Sequence, residues 1–241
     1  NIEMSIDSGD ITESHNWVKK ASSKLPEVKD YIYLFASKLL IDAECFTDAR
    51  SYVDELIESN PKNPAANQLL FEILKDTRDY DLILRKIFEF TDYINDDELA
   101  QTIHSLVKEA IKDQKPTKTI FERIPRSIDK HPMIITSKIE AWIDNKEYLK
   151  AETELRKQIP NNWNKELIIL YAELGEDNLN GLSERVDKWL EERPKDANLW
   201  LVASRLAQKD GLWSKAQQCI ERSIEIKPVS EAYTELALIL S

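Results

Sequence analysis

The sequence predicts an all-α fold, a solenoid of stacked helix pairs wound as an α–α superhelix. Three observations carry this. The 241 residues include only 4 Gly and 9 Pro, and no run alternates apolar and polar residues as a half-buried strand would. Amphipathic stretches at helical spacing come in twos, each two joined by a short polar turn. Pro160, Pro194 and Pro228 follow one another at intervals of 34 residues, and each forbids the helix before it from continuing.

The pattern is plainest from Asn198 to Pro228. Leu199, Trp200, Ala203, Leu206 and Ala207 form the stripe of one helix, and Asp210-Gly211 makes the turn. Trp213, Ala216, Ile220, Ser223, Ile224 and Ile226 form the stripe of the next. Small residues at 203, 204, 216 and 223 stand where two helices must approach closely. Either helix alone would leave its stripe in water, so the pair needs neighbours of its own kind. The places of Trp200, Ala203-Ser204, Ala207, Ala216, Ile220, Ser223 and Pro228 resemble the tetratricopeptide repeat, which implies a helix–turn–helix unit repeated along the chain.

In chain order, residues 1–26 read as a repeat lacking its beginning, with a turn at Ser8-Gly9-Asp10 and Trp17, Val18 and Ala21 as the buried stripe of the helix that follows. Residues 30–61 form a full unit: Tyr33, Ala36-Ser37 and Leu40, then Phe46, Ala49, Val53 and Leu56, closed by Pro61. From Pro64 to Phe90 comes a degenerate unit in which Ile83 replaces the central Ala, an exchange that must splay the helices or force repacking. The pattern weakens over about 91–130. There Asp96 or Asp97 is expected to cap a helix reaching Lys112, and Pro125 to end a short one. Pairs resume at 132–158, where the second helix reads about one turn short, at 163–194 and at 198–228, and Glu231–Leu240 reads as a final helix with no partner. This makes about seven pairs in one continuous solenoid, divided into N-terminal repeats (1–114) and C-terminal repeats (115–241).

Composition excludes several functions. A formal charge of −11 with no Lys/Arg-dominated segment argues against nucleic acid as a partner. The glycines are too scattered for a dinucleotide fingerprint or a P-loop. His15, His104 and His131 lie on separate segments, and Asp96-Asp97 is followed by Ala100 where a magnesium motif needs a second carboxylate. No Ser/Cys–His–Asp grouping can be assembled. No enzyme, cofactor or metal site is therefore expected. Cys45 and Cys219, each placed on a helix among apolar neighbours, read as buried free thiols. No stretch reaches the length of a membrane span. The start at Asn1 and the end at Ser241 read as those of a fragment whose targeting segment lies elsewhere.

In a stack of this kind the first helix of each pair lines the inner face, and its non-packing residues meet a ligand. The candidates are Lys38, Asp42, Gln68, Glu72, Glu140, Glu173, Arg205 and Lys209. Arg205 and Lys209, four apart, are placed to hold one carboxylate jointly. The Lys/Asn arrangement with which some repeats bind chaperone tails is absent.

The C-terminal half narrows the likeness further. VDKWLEERPKDANLWLVASRLAQKDGLWSKAQQCIERSIEIKPVSEAYTELALIL, FERIPRSIDKHP and ELIILYAEL resemble the HemY family of Gram-negative bacteria, most strongly from residue 120 onward. Leu212-Trp213-Ser214-Lys215-Ala216 and Lys188-Trp189-Leu190 carry that resemblance. It implies the soluble repeat domain of an inner-membrane protein with two N-terminal spans, the domain favoured on the cytoplasmic side. It also implies a non-enzymatic scaffold for protein partners, among them enzymes of late haem synthesis. Two other readings stand beside it, a porphyrin or haem carrier and a repeat component of an envelope-assembly complex.

Overall fold

Helix entry and exit in this chain are set by short polar turns, and they recur so regularly that the architecture is best built from them. The computed structural model describes residues 1–174 and 181–240. In order, its α-helices are α1 (Ile2–Asp7), α2 (Ile11–Lys24), α3 (Lys29–Asp42), α4 (Phe46–Ser59), α5 (Pro64–Asp76), α6 (Tyr80–Phe90) and α7 (Asp96–Lys112). There follow the one-turn α8 (Lys118–Phe121), α9 (Pro132–Asp144), α10 (Tyr148–Asn161), α11 (Lys165–Ala172), α12 (Leu182–Glu192), α13 (Ala197–Lys209), α14 (Trp213–Ile226) and α15 (Ser230–Leu240). The described residues contain no strand, so the fold is all-α.

The chain divides into two compact units. One comprises residues 1–109 and 118–131, the other 110–117 and 132–241. In the first unit α1, α3 and α5 are the first helices of successive pairs and α2, α4 and α6 the second. In the second unit α9, α11 and α13 are followed by α10, α12 and α14, and α15 begins a further step.

Six helices end in the same way. After α1, α3, α5, α7, α9 and α13 a residue takes positive φ: Gly9, Glu44, Arg78, Gln114, Lys146 and Gly211. Its N–H and that of the next residue reach back into the last turn, as in Gly211 N–H to Gln208 O at 2.9 Å and Leu212 N–H to Ala207 O at 2.7 Å. This closure satisfies carbonyls the helix would leave open and turns the chain back on itself within three residues. In two of the turns the next side chain also starts the following helix, Asp10 accepting from Glu13 N–H and Asp79 from Leu82 N–H. Cys45 belongs to such a turn, immediately before α4, and is half-buried. The expectation of a helical, buried Cys45 is corrected, whereas Cys219 is buried in α14.

Close approach of the paired helices rests on the small residues. Ala36 and Ala49 are fully buried between α3 and α4, as Ala216 is between α13 and α14. Ser204 Oγ donates across the pair to Ala216 O at 2.8 Å, and at the matching place Ser37 Oγ lies 3.4 Å from Ala49 O. Ser223 Oγ adds a third cross-pair bond, to Ala197 O at 2.8 Å. A larger side chain at these places would hold the helices too far apart for a hydroxyl to reach the opposing carbonyl. In α5 and α6, where Ile83 takes the place of the central Ala, the helices approach less closely than in the pairs α3/α4 and α13/α14. Leu70, Phe71, Leu74, Ile83, Ile87 and Phe90 fill the space between them, all essentially inaccessible, with Phe71 and Phe90 edge-on at 5.1 Å.

Four further expectations change. Asn95 caps α7, its Oδ1 accepting from Glu98 N–H at 2.9 Å, so Asp96 and Asp97 are the first helical residues instead. α10 is a full 14 residues and runs past Pro160. That ring sits exposed in the last turn, where only one helical hydrogen bond, to the carbonyl four residues back, is lost before the helix ends. Trp213 opens α14 on the solvent side at 56% exposure, outside the stripe assigned to it. And α15 is not isolated: its Ala232 is buried against Leu201 and Ile220.

In the second unit Tyr171 is wholly buried, its ring edge-on to Trp189 at 5.0 Å. Burial pushes its phenol up to about 12, Glu152 adding to the rise and Arg185 and Arg156 opposing it. Burial likewise raises Tyr52 to about 12 in the first unit.

Two outcomes follow. The turn residues differ in backbone cost, because a side chain disfavours positive φ. Glu44→Gly is expected to raise unfolding free energy by about 0.5–1 kcal/mol, and Gly211→Ala, with open space around the new methyl group, to lower it by about 1 kcal/mol, both read from urea unfolding. A phenol raised on folding holds its proton while the unfolded chain loses it. Stability should therefore be intact below pH 10 and fall between pH 10 and about 12. Tyr171→Phe should make that fall shallower in alkaline thermal melts.

Candidate functional site

The site begins with which helices touch. Within the first unit α1 contacts α3 and α3 contacts α5, and within the second α9 contacts α11 and α11 contacts α13. No second helix makes a comparable contact with the next second helix among the described residues. α2 and α4 meet through long side chains: His15 Nε2 lies 2.8 Å from Asp48 Oδ1, and His15 Nδ1 pairs with the Tyr52 hydroxyl. In each unit, then, the first helices are drawn together into one layer and the second helices splay. The first-helix layer is the inner side of the curve.

In the first unit Tyr31, Phe35, Lys38 and Asp42 share one face of α3 at helical spacing, and all are exposed. Tyr31 is 74% and Phe35 52% exposed, large apolar areas on a helix whose other sides are covered. Lys38 Nζ is held by Asp42 Oδ1 at 3.3 Å and by Glu72 Oε1 of α5 at 2.9 Å. These partners raise its pKa, the Glu72 hydrogen bond most. Gln68 Nε2 donates to Tyr93 O at 3.1 Å. One step on, Lys75 of α5 meets Glu98 of α7 at 3.0 Å. Beside that pair a polar cleft of about 460 Å³ opens, lined in part by Asp97, Gln101 and Ser105. His131 Nε2 lies 2.9 Å from Asp97 Oδ1, whose side chain is otherwise 93% exposed. The face thus carries a ladder of ion pairs from one first helix to the next, with two aromatic rings at one end and a polar cleft at the other.

The second unit uses the same positions differently. Arg205 of α13 meets Glu173 at 3.6 Å, just past α11, together with Glu231 at 3.2 Å and Glu235 at 3.0 Å, both on α15. Gln208 donates to the other oxygen of Glu235 at 2.9 Å. Lys209 Nζ instead donates to Ala172 O at 2.6 Å and Leu174 O at 2.8 Å, closing the end of α11. Arg205 and Lys209 therefore do not converge on one carboxylate. The guanidinium holds three of the chain's own, and the ammonium caps a helix. Glu140 lies half-buried on α9.

At the far side of this unit a second cleft, about 650 Å³, runs along the loop before α13. Trp163 borders it, its Nε1 donating to Asp196 Oδ2 at 2.7 Å and its ring carrying the Arg193 guanidinium at 4.0 Å. Asp196 also caps α13, so the cleft wall is part of the repeat junction. Among the described residues no group of three or more His, Cys, Asp or Glu is placed to hold a metal ion, and no helix is long and apolar enough to cross a membrane.

The exposed rings are what sequence reasoning missed. Tyr31 and Phe35 fall in the most apolar run of the chain, and a helix that is apolar nearly all round hides which of its faces stays open.

No protein-family model and no curated protein matches the chain. Among solved structures it is similar to a tetratricopeptide repeat protein from Parabacteroides merdae. The two share 14% identity over 100% of this chain and 96% of that one, at a TM-score of 0.43.

Arg205 is the cation on which the α11, α13 and α15 layer closes. Arg205→Met leaves three carboxylates facing one another and is expected to cost about 1–3 kcal/mol in urea unfolding. Glu235→Gln added to it should recover part of that loss, and simple additivity of the two changes would refute the coupling.

Proposed function

We propose that the chain is a non-enzymatic protein-binding scaffold whose first-helix face, in the first unit above all, receives its partner. One observation carries this reading: Tyr31 and Phe35 stay exposed on a face whose polar neighbours are held in place by pairs between repeats. Exposed aromatic rings on a fixed surface offer binding area at little cost in ordering, which is the physics of a docking face. Lys38, Asp42, Gln68 and Glu72 form the polar surround of those rings. Glu140, Glu173, Arg205 and Lys209 occupy the corresponding layer of the second unit.

The finer reading is a HemY-like soluble repeat domain that organises proteins of late haem synthesis and is anchored to the inner membrane in its full-length form. It is supported by the resemblance of the LWSKA and DKWL segments and of FERIPRSIDKHP.

Affinity capture from cells of the source organism, wild type beside Tyr31→Ser/Phe35→Ser, tests the scaffold. Both positions are exposed, so melting should be unchanged while specific partners retained by the wild type are lost. Equal retention by the variant would move the partner site elsewhere. Identification of haem-pathway enzymes among the lost proteins is the outcome the finer reading requires. Titration with haem is expected to give no saturable Soret shift, and a stoichiometric shift would make the protein a tetrapyrrole carrier instead.

A further inference from the structure

We infer that the first-helix face of the first unit takes a basic segment of a partner protein, an extended stretch in which an apolar residue is followed by lysines or arginines. The inference rests on the scaffold reading and adds the chemistry of the occupant. Tyr31 and Phe35 supply an apolar platform on α3, both more than half exposed. From there toward α7 the exposed charge is mostly carboxylate. Asp42 and Glu72 hold Lys38, Asp76 is exposed one turn beyond Glu72 on α5, and Asp97 and Glu98 line the same cleft as Lys75.

The two lysines are already neutralised by Glu72 and Glu98, at 2.9 and 3.0 Å, and are poorly placed to attract an anion. Asp42, 60% exposed despite its 3.3 Å contact with Lys38, keeps most of its surface in solvent. Among the described residues no ion-pair cation stands against Asp76, and Asp97, 2.9 Å from His131 Nε2, remains 93% exposed. The surplus on this face is negative, so a cationic ligand gains where an anionic one would be repelled.

Geometry sets the length of the segment. Two helix-packing steps of about 8–10 Å separate α3 from α7. An extended chain rising about 3.3 Å per residue crosses that span in roughly six residues. An apolar side chain on the Tyr31–Phe35 platform thus brings basic side chains over Glu72 and into the 460 Å³ cleft. Gln101 and Ser105 are available there to the segment's backbone.

The test uses residues 1–241 and fluorescein-labelled peptide pools: one rich in Lys and Arg around a central Phe, Leu or Trp, one with Asp and Glu in place of the basic residues. Fluorescence anisotropy should show saturable binding of the basic pool and none of the acidic pool. Tyr31→Ser/Phe35→Ser should weaken binding about tenfold or more. Asp42→Asn/Asp76→Asn/Asp97→Asn should weaken it and flatten its dependence on salt, with the melting curve of each variant checked against wild type. Equal binding of both pools, indifference of the basic pool to both variants, or absence of saturation would each overturn the inference. If the pools fail while affinity capture still returns partners that require Tyr31 and Phe35, only the chemistry of the occupant is wrong. If both fail, the scaffold reading falls with it.

Discussion

How near two helices of a pair can come is decided by side chains no larger than alanine or serine, and every higher level of the structure inherits that distance. Ala216 and Ala49 are fully buried at the crossings, and the hydroxyls of Ser204 and Ser37 reach toward the carbonyls of those same residues on the opposing helix. A hydroxyl buried without an acceptor would cost about 1–3 kcal/mol; Ser204 meets that need across the pair, whereas Ser37 also donates to Tyr33 O on its own helix at 2.8 Å. The left-handed residue after α1, α3, α5, α9 and α13 does the complementary task of returning the chain to its pair partner.

With pairs so fixed, a pair can stack on the next in few ways. The first helices pack closely on their counterparts, whereas the second helices α2 and α4 meet only through long side chains. The asymmetry concentrates polar side chains of successive repeats on one layer, at distances where Lys38 can reach Glu72 and Lys75 can reach Glu98. Such half-exposed pairs contribute little to stability singly. What they add is a polar link from α3 to α5 and from α5 to α7.

Much of the fold was legible because the signals are local. Prolines every 34 residues, an Ala-Ser pair at 36–37 and again at 203–204, and apolar stripes place nearly all of the helix pairs. What escaped depends on more than sequence neighbours. Glu44, Arg78, Gln114 and Lys146 adopt a backbone that glycine would announce, and nothing in their side chains betrays it. Pro160 looks like a terminator, yet α10 continues past it to Asn161, and Trp213 looks like core, yet faces solvent because the stripe of α14 begins at Ala216. The site was harder still. Periodicity says that Arg205 and Lys209 share a helix face, but their acceptors lie on α11 and α15, some 25 to 40 residues away in the chain, beyond the reach of any local pattern.

The contrast between the units is why the proposed docking face is placed on the first. In the second, the layer's main cation is consumed internally: Arg205, with only 21% of its side chain exposed, holds Glu173, Glu231 and Glu235. A ligand carboxylate there would have to displace a partner already in place, and a ligand cation would have to compete with the largely covered Arg205 for the same carboxylates. In the first unit the pairs are between exposed groups, cheap to rearrange, and carboxylates remain in excess beside two uncovered rings. Net charge alone would predict a general affinity for cations all over a chain of −11. The local arrangement predicts one face, because there unneutralised acid and exposed aromatic surface lie on the same layer of helices.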